Sequence, residues 1–486
     1  MNSPAYLPRD LCSRRHFLGA SGFGLGSTAL AWLLQQDGLL AEPARPELEQ
    51  RKYDLAPKPA HHPARARAMI SILMIGGPSQ MDLLDPKPLL KEYEGKKFPG
   101  ELKFDNAGQA SAKVLPSFWD FKKHGQCGTE LSSLLPHLGE VVDDLCVIRS
   151  MQTGVNNHGQ SLYALASGRI TSGAPTLGSW INYGLGCESQ ELPAYVTLTH
   201  PSGTPLLVDQ HWTNGWLPSI YQGTMIRPRE PRILNLDPAP HLRGAAQERQ
   251  LGLLRELNRG HQLEHPGELD LSARIASYEL AARMQTAAKE AMDVTRESEA
   301  TRQLYGIDNE LTRDYGTRCL IARRLVERGV RFVQIVNNGQ SWDQHSGIIK
   351  ALPDLCAKSD RPVAALIKDL KAKGLLDSTL VHWGGEMGRL PVMQNDLGRE
   401  KVGRDHNTYG FTIWLAGGGI RGGMTFGETD EWGHHAVKNV VTQHDYHATL
   451  LHLFGLDHTK LIYRRAGREL SLTDKKPARV VREILA

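Results

Sequence analysis

Val330-Arg-Phe-Val-Gln-Ile-Val336 runs directly into Asn337-Asn-Gly-Gln-Ser-Trp-Asp343-Gln-His345. The first seven residues are mostly β-branched or aromatic, the composition of a strand buried in a sheet. A parallel strand delivers the loop after it to the ligand edge of an open α/β sheet. Asp343 and His345 are two apart, so in extended backbone their side chains share a side. Both can then bind one cation. The competing reading is an aspartate that caps the next helix beside a surface histidine.

Outward from this stretch the α/β pattern repeats. Upstream, Leu311, Tyr315, Cys319, Ala322 and Val326 form a helical stripe, and Gly329 supplies a left-handed stop before the strand. Downstream, a helix over Ala364–Lys373 ends at Gly374 and leads into Thr379-Leu-Val-His-Trp383. Gly384-Gly385 then lets a loop approach closely before Glu386. That loop carries Arg389, Arg404, Asp405 and His406 into the strand Phe411–Ala416. Three consecutive strand ends thus present carboxylate or imidazole groups. Carboxylate oxygen with neutral imidazole suits zinc, manganese or iron.

Further strands are expected at Met69–Ile75, Leu145–Arg149 and Ala194–Thr199, and further helices at Leu271–Ala300 and His444–Phe454. The fold class is α/β, a mostly parallel central sheet sandwiched by helices. Residues of about 200–310 read as an insertion, loop-rich and then helical. Trp212 and Trp216 in it form either a sugar-stacking platform or ordinary packing. Asp445 reads as a helix cap; His447 faces the core or reaches a metal.

The 486 residues carry 57 basic and 53 acidic side chains, and the basic ones are dispersed. Nucleic-acid binding therefore has no support. Ser13-Arg-Arg-His-Phe-Leu18 reads as a twin-arginine export signal. The apolar stretch Gly19–Leu34 has 16 residues, short of the roughly 20 that span a bilayer. A small-residue region, Leu39-Leu-Ala41-Glu-Pro-Ala44, offers a cleavage site. The expected organisation is a signal over 1–44, a linker over 45–67 and one domain over 68–486. The expected location is periplasmic or extracellular, reached through the twin-arginine translocase, with no stable membrane span. Five cysteines remain beyond the signal, an odd number with no CxxC spacing, so neither a disulfide framework nor a cysteine metal site is indicated.

From residue 69 onward the chain resembles the sulfatase-like family called domain of unknown function 1501. Gly76-Gly-Pro-Ser-Gln-Met-Asp82-Leu-Leu-Asp-Pro-Lys-Pro88, Pro175-Thr-Leu-Gly-Ser-Trp-Ile181, Trp342-Asp-Gln-His345, Gly385-Glu-Met-Gly-Arg389 and His444-Asp-Tyr-His-Ala-Thr-Leu-Leu-His-Leu-Phe-Gly455 carry the resemblance. It implies an alkaline-phosphatase-like sheet and hydrolysis of phosphate or sulfate esters with one or two divalent metals, zinc, manganese or calcium. By that resemblance one metal site holds Asp343, His345 and His406, with Asp405 adjacent. Glu386 stands where the superfamily has a strand-end aspartate and remains able to ligate, whereas Met387 is a poor ligand. Gly76-Gly77 stand where the first strand carries a metal-binding aspartate, and Asp82 or Asp85 is the substitute.

Counting back from Ser167-Gly-Arg169 places His158 at the sulfatase nucleophile position, which disfavours formylglycine chemistry. His158 is then a ligand, a nucleophile or a general base, and Glu386 is the neighbouring acid expected to share the catalytic handling of protons. Thr153 and Ser161 are the remaining candidate nucleophiles. Arg389 and Arg404 are candidates to hold an anionic substrate, against the plainer reading of surface solvation. The functional expectation is an exported metal-dependent hydrolase of phosphate or sulfate esters, with sulfated or phosphorylated glycans as candidate substrates. The alternative is a non-catalytic metal- or glycan-binding protein on the same scaffold.

Overall fold

The computed structural model describes Leu30 and residues 32–34, 53–102, 109–265 and 268–486. The twin-arginine segment, its cleavage region and linker residues 45–52 lie outside the described residues. The chain divides into Met1–Lys52 and a compact unit, Tyr53–Ala486, to which all the elements below belong. Residues 53–67 are not a free linker. Tyr53 and Leu55 are buried, and the backbone of this segment bonds to Leu185, Leu453 and Gly455.

The strands of the central sheet and of the hairpin beside it, in chain order, are β1 (Ala68–Leu73), β2 (Leu145–Gln152), β3 (Tyr195–Leu198), β4 (Thr224–Ile226), β5 (Phe332–Val336), β6 (Thr379–Gly384), β7 (Gly388–Met393), β8 (Arg404–Asn407), β9 (Phe411–Ala416), β10 (Met424–Phe426) and β11 (Val441–Thr442). Nine of them form one sheet in the order β10-β2-β9-β6-β1-β5-β3-β4, with β11 also on β2. Every residue of β1, β5, β6 and β9 is buried, as a sheet covered on both faces requires.

Within this sheet the pairings are parallel except those of β9, which runs against both β6 and β2. This reversal positions the site. The parallel strands β1, β2, β5 and β6 leave the sheet at one edge, while β9 enters at that edge. The segment before β9 therefore meets the loops that follow the others.

The principal helices are α1 (His158–Ser167), α2 (Leu177–Leu185), α3 (Ala245–Glu264), α4 (Leu269–Met292), α5 (Arg313–Glu327), α6 (Ile348–Ala372) and α7 (Gln443–Leu453). Helix α5 packs on α6, β5 and β1. The end of α5 follows the sequence reading, with Gly329 at φ +83° closing it. Helix α6 starts well before the expected Ala364 and continues through Pro353 and Pro362. Leu352, Cys356, Ser359, Val363, Leu366 and Leu370 are all buried on one stripe of it. Burial of the larger of these contributes about 2 kcal/mol each, against the roughly 3 kcal/mol that an internal proline costs.

Within the expected insertion, β4 extends the sheet and α3 lies along α4, joined by Gln247–Gln285 and Gln262–Ser272 hydrogen bonds. Trp212 is buried, and Trp216 packs against Trp180 and Tyr463. Neither forms a stacking platform. The five cysteines are free thiols. Among the described residues no helix is long and apolar enough to cross a membrane.

Candidate metal centre

Four side chains converge at the shared edge of the sheet. His158 is the first residue of α1, which follows β2 and is capped by the Asn157 side chain accepting from the Gln160 N–H. Asp343 and His345 come from the loop after β5. His406 lies on β8, in a hairpin with β7 that the sequence reading takes for a loop. Its polar residues and Pro391 conceal the strand signal. One donor atom from each of these four side chains can be chosen so that no two are more than 4.8 Å apart.

The orientation of the rings is as informative as their proximity. His158 Nδ1 lies 2.6 Å from Glu386 Oε1. His406 Nδ1 lies 3.0 Å from the Asn156 carbonyl, and His345 Nδ1 contacts Gln394 Oε1. Each Nδ1 therefore faces an oxygen acceptor, which fixes the proton there and leaves a lone pair on Nε2. The three Nε2 atoms point inward, at 3.3, 3.0 and 3.5 Å from Asp343 oxygens for His158, His345 and His406. His345 Nε2 and His406 Nε2 are 3.0 Å apart, and His158 Nε2 is buried without a hydrogen-bond partner. Three inward lone pairs and a carboxylate fit a divalent cation.

Burial pushes the Asp343 carboxyl up, but the imidazoles of His158, His345 and His406 drawn around it, with the Arg389 charge, hold it far below the usual carboxylate range. Burial disfavours charge on His158, yet the neighbouring Asp343 and Glu386 carboxylates outweigh this and raise its pKa. Burial dominates at His406, and with Arg389 and His158 nearby its pKa is lowered.

Several predicted residues have other roles. Glu386 is fully buried, accepts from the Gly76 N–H at 3.0 Å and orients His158 from behind. Asp405 also stands outside the four-donor set; its Oδ1 accepts from the His406 N–H at 2.8 Å. The expected anion-binding role of Arg389 and Arg404 is corrected, as both are about 1% exposed or less. Arg389 donates to the carbonyls of Gly76, Gly77 and Arg404 and to Asp343 Oδ1 at 2.5 Å, bracing the loop that carries the ligand.

Arg404 pairs with Asp82 at 2.8 Å and with the carbonyls of Leu115, Leu390 and Pro116. Asp82 is thereby removed from the expected metal set, and Asp85 is held by Thr429 and Lys87. Gly76 occupies the position that the resemblance gives to a metal-binding aspartate, and nothing larger fits there: at φ +112°, an added Cβ would lie 2.4 Å from the Asp343 nitrogen.

Ser161 donates to the Val155 carbonyl and is spoken for. Thr153 Oγ1 is buried without a partner. His447 is buried elsewhere, bonded to the Leu165 carbonyl at 2.7 Å, while Asp445 completes a capping box with Thr442. The sequence reading misses Gln394 and the Asn156 carbonyl, since a lone amide or a main-chain oxygen carries no motif.

The profile of the family described as Protein of unknown function (DUF1501) matches residues 66–485. No curated protein matches the chain. Among solved structures the chain is similar to the lipoteichoic acid synthase LtaP from Listeria monocytogenes, at 9% identity and TM-score 0.34, covering 86% of this chain and 78% of that one. It is also similar to the PsFucS1 sulfatase from Pseudoalteromonas sp., at 13% identity and TM-score 0.36, covering 81% and 68%. A protein in the alkaline phosphatase superfamily from Vibrio parahaemolyticus is similar at 10% identity and TM-score 0.33, covering 84% and 72%.

Proposed function

The chain belongs to the DUF1501 family, and we propose that it is a metal-dependent hydrolase of phosphate or sulfate esters built on one metal centre. The observation that carries this reading is the convergence of three His Nε2 atoms on Asp343, each ring held from behind. His158, Asp343, His345 and His406 would hold the cation. Nitrogen-rich donors suit zinc or manganese better than calcium, which takes oxygen ligands. Such a cation supplies Lewis-acid polarisation of an ester oxygen and activation of water.

The chain's own residues do the rest. Glu386, Gln394 and the Asn156 carbonyl keep the proton of each imidazole on Nδ1. Arg389 holds Asp343 in place. The N-terminus of α1 opens at the site, and its partial positive charge favours an anionic oxygen there. His158, not a hydroxyl or thiol, heads that helix, so water is the nucleophile in this reading. His345, 27% exposed, marks the side from which substrate enters.

A closed reading competes on one observation. Four protein donors fill a tetrahedral cation, and closed four-ligand sites are structural. The protein would then bind metal, or metal and glycan, without turnover. A panel of aryl phosphates, aryl sulfates and phosphodiesters assayed on metal-loaded protein separates the two. Turnover lost in Asp343→Asn supports the hydrolase; no turnover on the whole panel with metal bound supports the closed site. Export through the twin-arginine translocase is part of the proposal and rests on Ser13–Leu18 alone. An Arg14→Lys/Arg15→Lys variant retained in the cytoplasm would support it, and unaltered export would remove it.

A further inference from the structure

We propose that the C-terminal end of α3 carries a second divalent-cation site, made by His261, Glu264 and His265 and suited to zinc. It is separate from the centre at the sheet edge and does not rest on the hydrolase reading. The three residues lie in His261-Gln-Leu-Glu264-His265. Positions i, i+3 and i+4 share one face of a helix, and two histidines four apart on that face are spaced to hold one zinc ion. The last turn of α3 realises this spacing. The His261 and His265 rings have centroids 4.4 Å apart. One donor atom from each of the three side chains can be chosen so that no two are more than 4.8 Å apart.

These donors are not committed elsewhere. Among the described residues neither the Glu264 carboxylate nor the His261 ring nitrogens have a hydrogen bond or an ion pair. His265 Nδ1 has the Glu268 carboxylate 3.8 Å away, beyond hydrogen-bonding distance and near enough for Glu268 to orient the ring. Two imidazoles and a carboxylate are zinc ligands, and water fills the open position. The aligned peptide dipoles place partial negative charge at this end of α3, which favours a cation there. The helix also has a use for one. None of its residues is buried, Leu253, Leu254, Leu257 and Leu263 are exposed, and a cation that binds only the folded turn stabilises it by mass action. Three exposed ligands hold zinc more weakly than the four of the buried centre, so purification strips this ion and leaves the other.

Zinc titration of the chelator-stripped full chain, followed by calorimetry, tests this apart from catalysis. About one equivalent is expected to survive in His345→Ala/His406→Ala and to disappear in His261→Ala/His265→Ala. Glu264→Gln is expected to weaken that equivalent about tenfold. Glu256→Gln, which removes a carboxylate two turns earlier on the same helix, is expected to leave it unchanged. Amide hydrogen exchange over residues 253–264 is expected to slow with zinc in the wild type and not in His261→Ala/His265→Ala. No equivalent that depends on His261 and His265, equal weakening by Glu256→Gln, or exchange in α3 indifferent to zinc overturns the site. The dependent equivalent found in a protein that turns over no ester leaves this site standing and removes the hydrolase reading alone.

Discussion

His345 and His406 face each other through their Nε2 atoms at 3.0 Å while Gln394 and the Asn156 carbonyl occupy both Nδ1 atoms. Two inward lone pairs at that distance repel unless a proton or a cation lies between or beside them, and Asp343 completes the cage.

The first prediction concerns stoichiometry. The purified protein should carry about one equivalent of divalent metal, and His345→Ala/His406→Ala should carry almost none. Elemental mass spectrometry on both decides it. A metal-free wild type, or metal unaffected by the double variant, removes the centre.

Glu386 touches the centre only through His158. Glu386→Gln should therefore lower metal affinity about 10- to 100-fold, the usual cost of losing an outer partner of a ligating histidine. Competition against a fluorescent chelator measures this. Unchanged affinity would mean that His158 is not a ligand.

Asp82 and Arg404 are fully buried partners. Asp82→Asn should cost about 3–5 kcal/mol of stability, because it strands a buried guanidinium. Folded protein should keep its full metal content. Denaturant unfolding with parallel metal analysis checks both; lost metal at unchanged stability would return Asp82 to the centre.

Acid should unfold this protein through its buried neutral histidines. Burial pushes His382 down to about 3 and holds His211, His434 and His447 at about 4. A bond to the Leu206 carbonyl opposes the shift at His211, and one to Leu165 opposes it at His447. The unfolded chain binds protons on these residues near pH 6.5, the folded chain only near 3–4. Stability is thus complete above about pH 6.5 and falls as the pH drops, by up to about 1.4 kcal/mol per pH unit for each histidine. Unfolding titrations between pH 7 and 4 should show this slope, and it should be shallower in His447→Gln. A flat profile would contradict the burial of these rings as neutral species.

Much of this was legible beforehand. The six expected strands exist because each is a short apolar run ending in glycine or polar turn residues, and α5 exists because its stripe and Gly329 agree. Helix α6 extends upstream of the expected Ala364 because its buried stripe packs against α5, a long-range contact that the local sequence does not display. The β7–β8 hairpin escapes the sequence reading because Arg389, Arg404 and Asp405 are polar and nevertheless buried.

By itself the sequence determined an α/β sheet, the strand ends from which Asp343, His345 and His406 emerge, and a resemblance that made His158 worth attention. Its patterns are local, set by hydrophobic period, glycine stops and acid–histidine neighbours. The tertiary structure alone decided which polar residues meet. Antiparallel β9 brings His406 to the edge where β2 and β5 deliver His158 and Asp343, and the same packing seals Arg404 onto Asp82. An arginine in a loop can hold a substrate or brace a core, and the partners that distinguish the two lie some 300 residues away in sequence.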